Sequence, residues 1–218
     1  MYVRVVLAAL RCQGVSHESR ADNQASRCRM IPQPAGYGPP APVRIFQWEA
    51  EFARLLHMYR ERAPRRVLEV GTFHGGTLYH WLQNAAPGAL VVSVDSYTEG
   101  VDNRRLYGDW CPDRVGVIAV EGDSTDPATA IRVARYAPFD WVWIDASHVY
   151  DDVVCDWETY GGMCAPGGLV CFHDINAVPG TDGYDVGRLW AELRGRFRTE
   201  EIVESPTSSG GGIGIVYP

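Results

Sequence analysis

The stretch Phe139 to Asp152, FDWVWIDASHVYDD, runs from an apolar, aromatic-rich segment into a group of carboxylates around one histidine. A buried strand gains nothing from ending in Asp145 with His148 just beyond it. A site that grips a metal or a cofactor at a strand end does. A second concentration of usable chemistry is LEVGTFHGGT, which holds Glu69, Gly71, Thr72, Gly75, Gly76 and Thr77. Glycines let a backbone approach a ligand closely, and a helix starting there offers free N–H groups. The glycine spacing is not G-x-G-x-x-G, so an amino-acid-bearing nucleoside fits better than a pyrophosphate cradle; a tight strand–helix turn is the plain alternative. Asp95, followed by Ser96, ends the next apolar run, 24 residues past Gly71. An acid there can accept hydrogen bonds from ribose hydroxyls, or cap a helix. In EGDS, Asp123 and Ser124 can address an adenine ring, or cap the helix opening at DPATA.

These residues need a frame that brings strand ends together. RRVLEVG, ALVVSVD, VGVIAVEGD, FDWVWIDAS and GGLVCFHD read as five short strands. Helical stretches separate them: GGTLYHWLQNA, the NRRLYGDW region, DPATAIRVARY and VYDDVVCDWETYGGMC, with YDVGRLWAELRGRF after the fifth. Such alternation, with near-continuous apolar strands, predicts a parallel sheet covered on both faces. RTEEIVE and IGIVYP are joined by a turn too short for a crossover helix, so they form an antiparallel pair at one edge. The fold class expected is a doubly wound, seven-stranded, mostly parallel α/β sheet. Ahead of it, FQWEAEFARLLHMYRER sets Phe46, Phe52, Leu55, Leu56 and Tyr59 near one helical face. Asp151, Asp152 and Asp156 are expected in the first turns of the helix after strand four, where acids favour the positive dipole end.

Residues 1–44 read as a Pro/Gly-rich arm, either a tail or a wrap around a partner subunit, with Met30 as a possible natural start; residues 45–218 read as a single domain. The chain of 218 residues carries a net charge of −7 and no Lys/Arg block, which argues against nucleic acid and anionic membrane as partners. No stretch approaches the ~20 apolar residues of a membrane helix, and MYVRVVLAAL fits a signal peptide badly. Six cysteines without C-x-x-C or zinc spacing predict a reduced, cytoplasmic protein with no disulfide framework. Trp141 and Trp143 read as core. Trp110 and Tyr107 are candidates for a substrate platform or for packing. NAVPGTDGYDVG, Asn176 to Gly187, is long enough to act as a lid.

The order E-x-G-x-x-x-G-G, a strand-end acid and then G-D-S resembles the class I S-adenosylmethionine methyltransferases, over Phe46 to Pro218. IDASHVYDDVVCDW with APGGLVCFHDINAVPG and GRLWAEL resembles the metal-dependent O-methyltransferases, nearest the macrocin-type sugar enzymes and the cephalosporin-hydroxylase-like group, more distantly the catechol type. The resemblance implies S-adenosylmethionine held by Glu69, Gly71, Thr72, Gly75, Gly76, Thr77, Asp95, Ser96, Asp123, Ser124 and Asp145. It implies Mg²⁺ or Mn²⁺ on Asp145, His173 and Asp174, with Asn176 as a substitute for His173. Neighbouring strand ends would let the two acids converge on one cation, and two carboxylates with an imidazole suit such an ion. Where catechol-type enzymes carry a lysine base, this chain has His148, so His148 and Asp145 are the catalytic candidates. The acceptor implied is a hydroxyl of a small molecule, most simply a sugar, with a catechol-like vicinal diol as alternative, and the protein is expected to form a homodimer or higher homo-oligomer. An NAD-dependent dehydrogenase and a non-catalytic nucleoside binder are the other classes; the missing G-x-G-x-x-G opposes the first, and the acid–histidine set the second.

Overall fold

The computed structural model describes residues 43–97, 102–176, 185–204 and 210–218. Most of the expected arm and lid, and the loop at 98–101, therefore lie outside the described residues. Helix α1 (Glu49–Arg62) leads into β1 (Arg66–Val70), α2 (Gly76–Asn84), β2 (Leu90–Asp95), the short α3 (Tyr107–Trp110) and β3 (Gly116–Glu121). Then follow α4 (Pro127–Val133), β4 (Phe139–Ile144), α5 (Tyr150–Tyr160), β5 (Cys164–His173), α6 (Val186–Arg194), β6 (Arg198–Ile202) and β7 (Ile213–Tyr217). The seven strands lie in the order β3-β2-β1-β4-β5-β7-β6. The first five are parallel, and β7 runs antiparallel to both β5 and β6. The expected doubly wound sheet with its reversed edge pair is the observed one.

Apolar strands need cover on both faces, and the sheet has two cores. One packs Phe52, Leu55, Leu56 and Tyr59 of α1 and Trp81 of α2 against Trp141 and Trp143 of β4. The other packs Val133, Val153, Tyr160, Leu189 and Trp190 of α4 to α6 against Leu68, Val92, Val142 and Val170. The helical stripe read from α1 is thus its buried face, while Phe46 lies in the segment before the helix. Trp110 and Tyr107, candidates for a substrate platform, are buried in the first core, where their rings lie against Gly75. Theirs is the packing role. Cys155 on α5 is disulfide-bonded, against the expectation of reduced cysteines throughout, whereas Cys111, Cys164 and Cys171 are free.

The chain reverses its winding between β1 and β4, which pair from Val67↔Trp141 to Val70↔Ile144. Ligands of such sheets sit at this switch point, beyond the carboxyl ends. The two ends are drawn tight there: the Asp145 amide donates to the Val70 carbonyl at 2.8 Å. Gly71 (φ +87°) is obligatory, because a Cβ would fall on the Asp145 carbonyl.

Asp156 departs from expectation. It is fully buried on the inner face of α5, not at its dipole end. Burial pushes its carboxyl from 3.8 up to about 8, with the charges of Asp152 and Asp123 adding and a hydrogen bond with Ser124 opposing. The folded chain therefore keeps a proton that the unfolded chain loses near pH 4, and stability falls as pH rises between those values. Asp156→Asn removes this dependence. Its stability advantage over wild type, measured by urea unfolding, should grow between pH 5 and pH 8 by up to roughly 4 kcal/mol at 1.36 kcal/mol per unit. An advantage that stays flat across that range contradicts a neutral Asp156.

Candidate active site

The turn from β1 to α2 is held by carboxylates. Asp95 Oδ2 accepts the Thr72 and Phe73 amides at 2.8 and 2.7 Å, and Oδ1 accepts the Tyr97 amide at 2.6 Å. A carboxylate has about four lone-pair positions, and three backbone amides among the described residues reach this one. The Thr72 hydroxyl shares a 2.6 Å hydrogen bond with that of Ser93. Glu69 lies beneath and is fully buried. Its Oε1 accepts the Thr77 hydroxyl at 2.6 Å and the Trp81 indole at 3.0 Å. Burial raises its pKa to about 8, against opposing hydrogen bonds from Thr77, Thr72 and Trp81. The enclosed carboxyl thus ties α2 to β1, with Glu69 and Thr77 as partners of each other. At Gly76 a Cβ would strike the Arg44 carbonyl, and Gly75 faces Trp110. Gly71, Thr72, Asp95, Ser96, Asp123, Ser124 and Asp145 remain around the strand ends. The cap of α4 is Asp126, which accepts the Ala128 amide at 3.0 Å, while Asp123 accepts Thr125. Asp123 and Ser124 therefore do not cap α4, although the Ser124 carbonyl accepts the Tyr160 hydroxyl of α5 at 2.7 Å.

Beside this turn sits the acid–histidine cluster. Asp145 follows β4, and His173 ends β5. The chain turns at Asp174, whose φ of +59° swings its carboxylate back over the strand ends. His148 Nε2 lies 3.0 Å from Asp174 Oδ2. His173 Nδ1 lies 3.2 Å from the same oxygen and 3.4 Å from Asp145 Oδ1. One donor atom from each of Asp145, His148 and Asp174 falls within 4.8 Å of the others, the arrangement among the described residues that could hold a cation. The histidine in that set is His148 and not His173. His173 lies below as a bridge between the acids, with its ring 5.9 Å from Trp143. The Asn176 side chain packs with its Cγ and Nδ2 against Gly212. Two carboxylates and an imidazole fit Mg²⁺ or Mn²⁺.

Burial alone would lower both histidine pKa values. Hydrogen bonding and charge from Asp174, with the charge of Asp145, reverse this and raise His148; the same acids hold His173 well above its ordinary value. Burial opposes ionisation of Asp174 too, but His173 and His148 hold it well below the carboxylate range. The acids thus favour protons on both histidines. A divalent cation would bring the same countercharge and displace protons in doing so.

Three groups that pattern reading did not flag complete the cluster. Gln47 Nε2 donates to Asp145 Oδ2 at 2.7 Å, and the Gly211 amide donates to Asp174 Oδ1 at 2.7 Å. Glu51 of α1 accepts the Gly212 and Glu204 amides, both at 2.8 Å, and clamps the β6–β7 connection. Nothing in local sequence signals such contacts, since the partners lie far apart along the chain.

Residues 68–175 match a family model described as a methyltransferase domain. The chain carries a methyltransferase domain. A relative 28% identical over 150 residues is the uncharacterized protein y4gI of Sinorhizobium fredii; the match covers 64% of this chain and only 16% of that protein. Among solved structures, the domain is similar to the O-methyltransferase from Bacillus cereus in complex with SAH (TM-score 0.59, 17% identity, 99% of this chain and 89% of that one). It is also similar to MycE of the mycinamycin biosynthetic pathway in complex with Mg and SAH (0.51, 23%, 77% and 48%). TomG from Streptomyces achromogenes in complex with SAM is a third (0.57, 20%, 81% and 81%). At these identities the likeness establishes the methyltransferase fold.

The threefold grip of Asp95 makes it the fastening of the methyltransferase turn. Asp95→Ala leaves three backbone N–H groups without that partner and should cost about 1–3 kcal/mol in urea unfolding, with Asp95→Asn losing less. An unchanged midpoint for Asp95→Ala would show that the turn stands without it.

Proposed function

We propose that this protein transfers a methyl group from S-adenosylmethionine to a hydroxyl oxygen of a small molecule, with a divalent cation on Asp145 and Asp174 and His148 as general base. The observation carrying this reading is the contact of Gly71 with the Asp145 backbone, which sets the nucleoside-type turn directly against the acid–histidine cluster. Methyl donor and acceptor oxygen would then meet over adjacent strand ends.

When bound, the cation would lower the pKa of an oxygen ligand, as metal sites do for water from ~15.7 to ~7. Asp145 and Asp174 would hold it, since Mg²⁺ is commonly bound through one or two carboxylates plus water or substrate. His148, neutral once the cation supplies the countercharge, would accept the hydroxyl proton. Asp174 Oδ2, 3.0 Å away, would steady the imidazolium that results. Asp95 would use its remaining lone pair on the ribose, and Asp123 and Ser124 would meet the adenine. Alignment of oxygen with methyl supplies much of the acceleration, and no covalent enzyme intermediate is required.

The acceptor proposed is a sugar hydroxyl. In support, a structure of MycE holds Mg, SAH and mycinamycin VI. Trp48 is 45% exposed and lies on Gly211, whose amide holds Asp174, so it offers the aromatic face that Trp110 cannot. We propose that the protein works as a homo-oligomer; among the described residues no helix is long and apolar enough to cross a membrane.

Asp145→Ala should abolish methylation, and S-adenosylhomocysteine affinity by calorimetry should stay within a few-fold of wild type. Turnover that persists in excess chelator ends the cation role. His148→Ala separates base from ligand: loss of rate with Mn²⁺ affinity kept marks the base, and loss of both marks a ligand.

A further inference from the structure

We infer that Gln47 is a positioning residue of the cation site, fixing one oxygen of Asp145 so that the other faces the cluster. This rests on the cation-assisted reading above. Each acid divides its oxygens in the same way. Asp145 gives Oδ2 to the Gln47 amide at 2.7 Å and turns Oδ1 towards His173. Asp174 gives Oδ1 to the Gly211 amide at 2.7 Å and turns Oδ2 towards His148 and His173. In both, the outer oxygen is tied by an uncharged N–H and the inner one faces the place where positive charge is needed. An amide suits the outer position because it orients the carboxylate without neutralising it; an Arg or Lys there would compete with the cation for the same charge. Outer donors of this kind commonly decide metal affinity.

Gln47 is delivered to its place by a strap held on every side. The Arg44 carbonyl lies where only Gly76 leaves room, and Ile45 is buried in the core. The Phe46 ring meets Phe73 edge-on at 5.2 Å, and Trp48 rests on Gly211. Gln47 itself is 5% exposed, 98 positions from Asp145 in sequence. Its Oε1 accepts the Phe46 amide at 3.3 Å, which leaves Nε2 as the atom that meets the acid. The strap thus touches the nucleoside-type turn through Phe46 and the cation cluster through Gln47.

The test uses full-length protein, Mn²⁺ as probe, and the variants Gln47→Ala and Gln47→Leu, the second keeping volume if the first folds poorly. Calorimetry should give a Mn²⁺ Kd at least tenfold weaker in both, with S-adenosylhomocysteine affinity within twofold of wild type. The rise in Tm on adding Mn²⁺ should shrink in proportion, over and above the fall in metal-free Tm that losing the Gln47 hydrogen bond brings. A purely structural role lowers Tm with and without metal equally and leaves the Mn²⁺-induced rise untouched; that result overturns the inference. Variants that bind Mn²⁺ as tightly as wild type overturn it too and leave the cation site standing. Wild type that takes no Mn²⁺ ends the cation reading itself.

Discussion

Two carboxylates on neighbouring strand ends, largely shut off from water, must be countercharged, and the rest of the site is arranged around that requirement. Asp145 and Asp174 come close because β4 and β5 run parallel and in register up to Ile144↔Phe172. Like charges in a poorly solvated place repel strongly, and each loses hydration that something must replace. In the protein alone, His148 and His173 face the acids and two amides donate hydrogen bonds to the remaining oxygens. On the function proposed above, a divalent ion would take over the countercharge that these histidine contacts favour.

The same sheet shows two other ways of keeping an acid. Asp95 stays at the rim and is satisfied by three backbone amides, which turns its charge into loop rigidity. Glu69 and Asp156 are enclosed without a cationic partner, and burial drives both towards the protonated form near neutral pH. Of these acids, only Asp145 and Asp174 combine convergence with histidine neighbours. That contrast picks out the chemical site more sharply than the presence of a carboxylate, since strand-end acids are common in this fold.

Much of the frame was legible in sequence. Apolar runs ending in glycine or acid marked β1, β2, β4 and β5, and the lack of room for a crossover marked the reversed β6–β7 pair. Asp145 and Asp174 were legible for the same reason, being strand-end acids. Which histidine joins them was not, because the left-handed turn at Asp174 decides it and no residue pattern announces that turn. Tyr107 and Trp110 were open between a substrate platform and packing, and α3 folds them onto Gly75. The buried side of Asp156 was hidden because a helix start and a helix interior carry acids of the same spacing. Gln47 was invisible for a plainer reason: a glutamine before a helix has no signature, and its partner lies on another strand end.

The outer hydrogen bonds of the acid pair come from the least strand-like parts of the chain, the strap before α1 and the glycine connection before β7. These two parts also meet each other, through Trp48 on Gly211 and through Glu51 on Gly212. Three successive glycines there adopt positive φ, a backbone path closed to most residues, so the connection fits the strap in one shape only. A change that moved Trp48 to admit a different acceptor would therefore shift Gln47, one residue away, and the amide of Gly211 beneath it. On the function proposed above, acceptor surface and cation geometry would thus be mechanically joined, while the nucleoside-type turn has its own fastening in Asp95 besides the Phe46–Phe73 contact. Acceptor preference would then change only along routes that keep both outer amides on their acids.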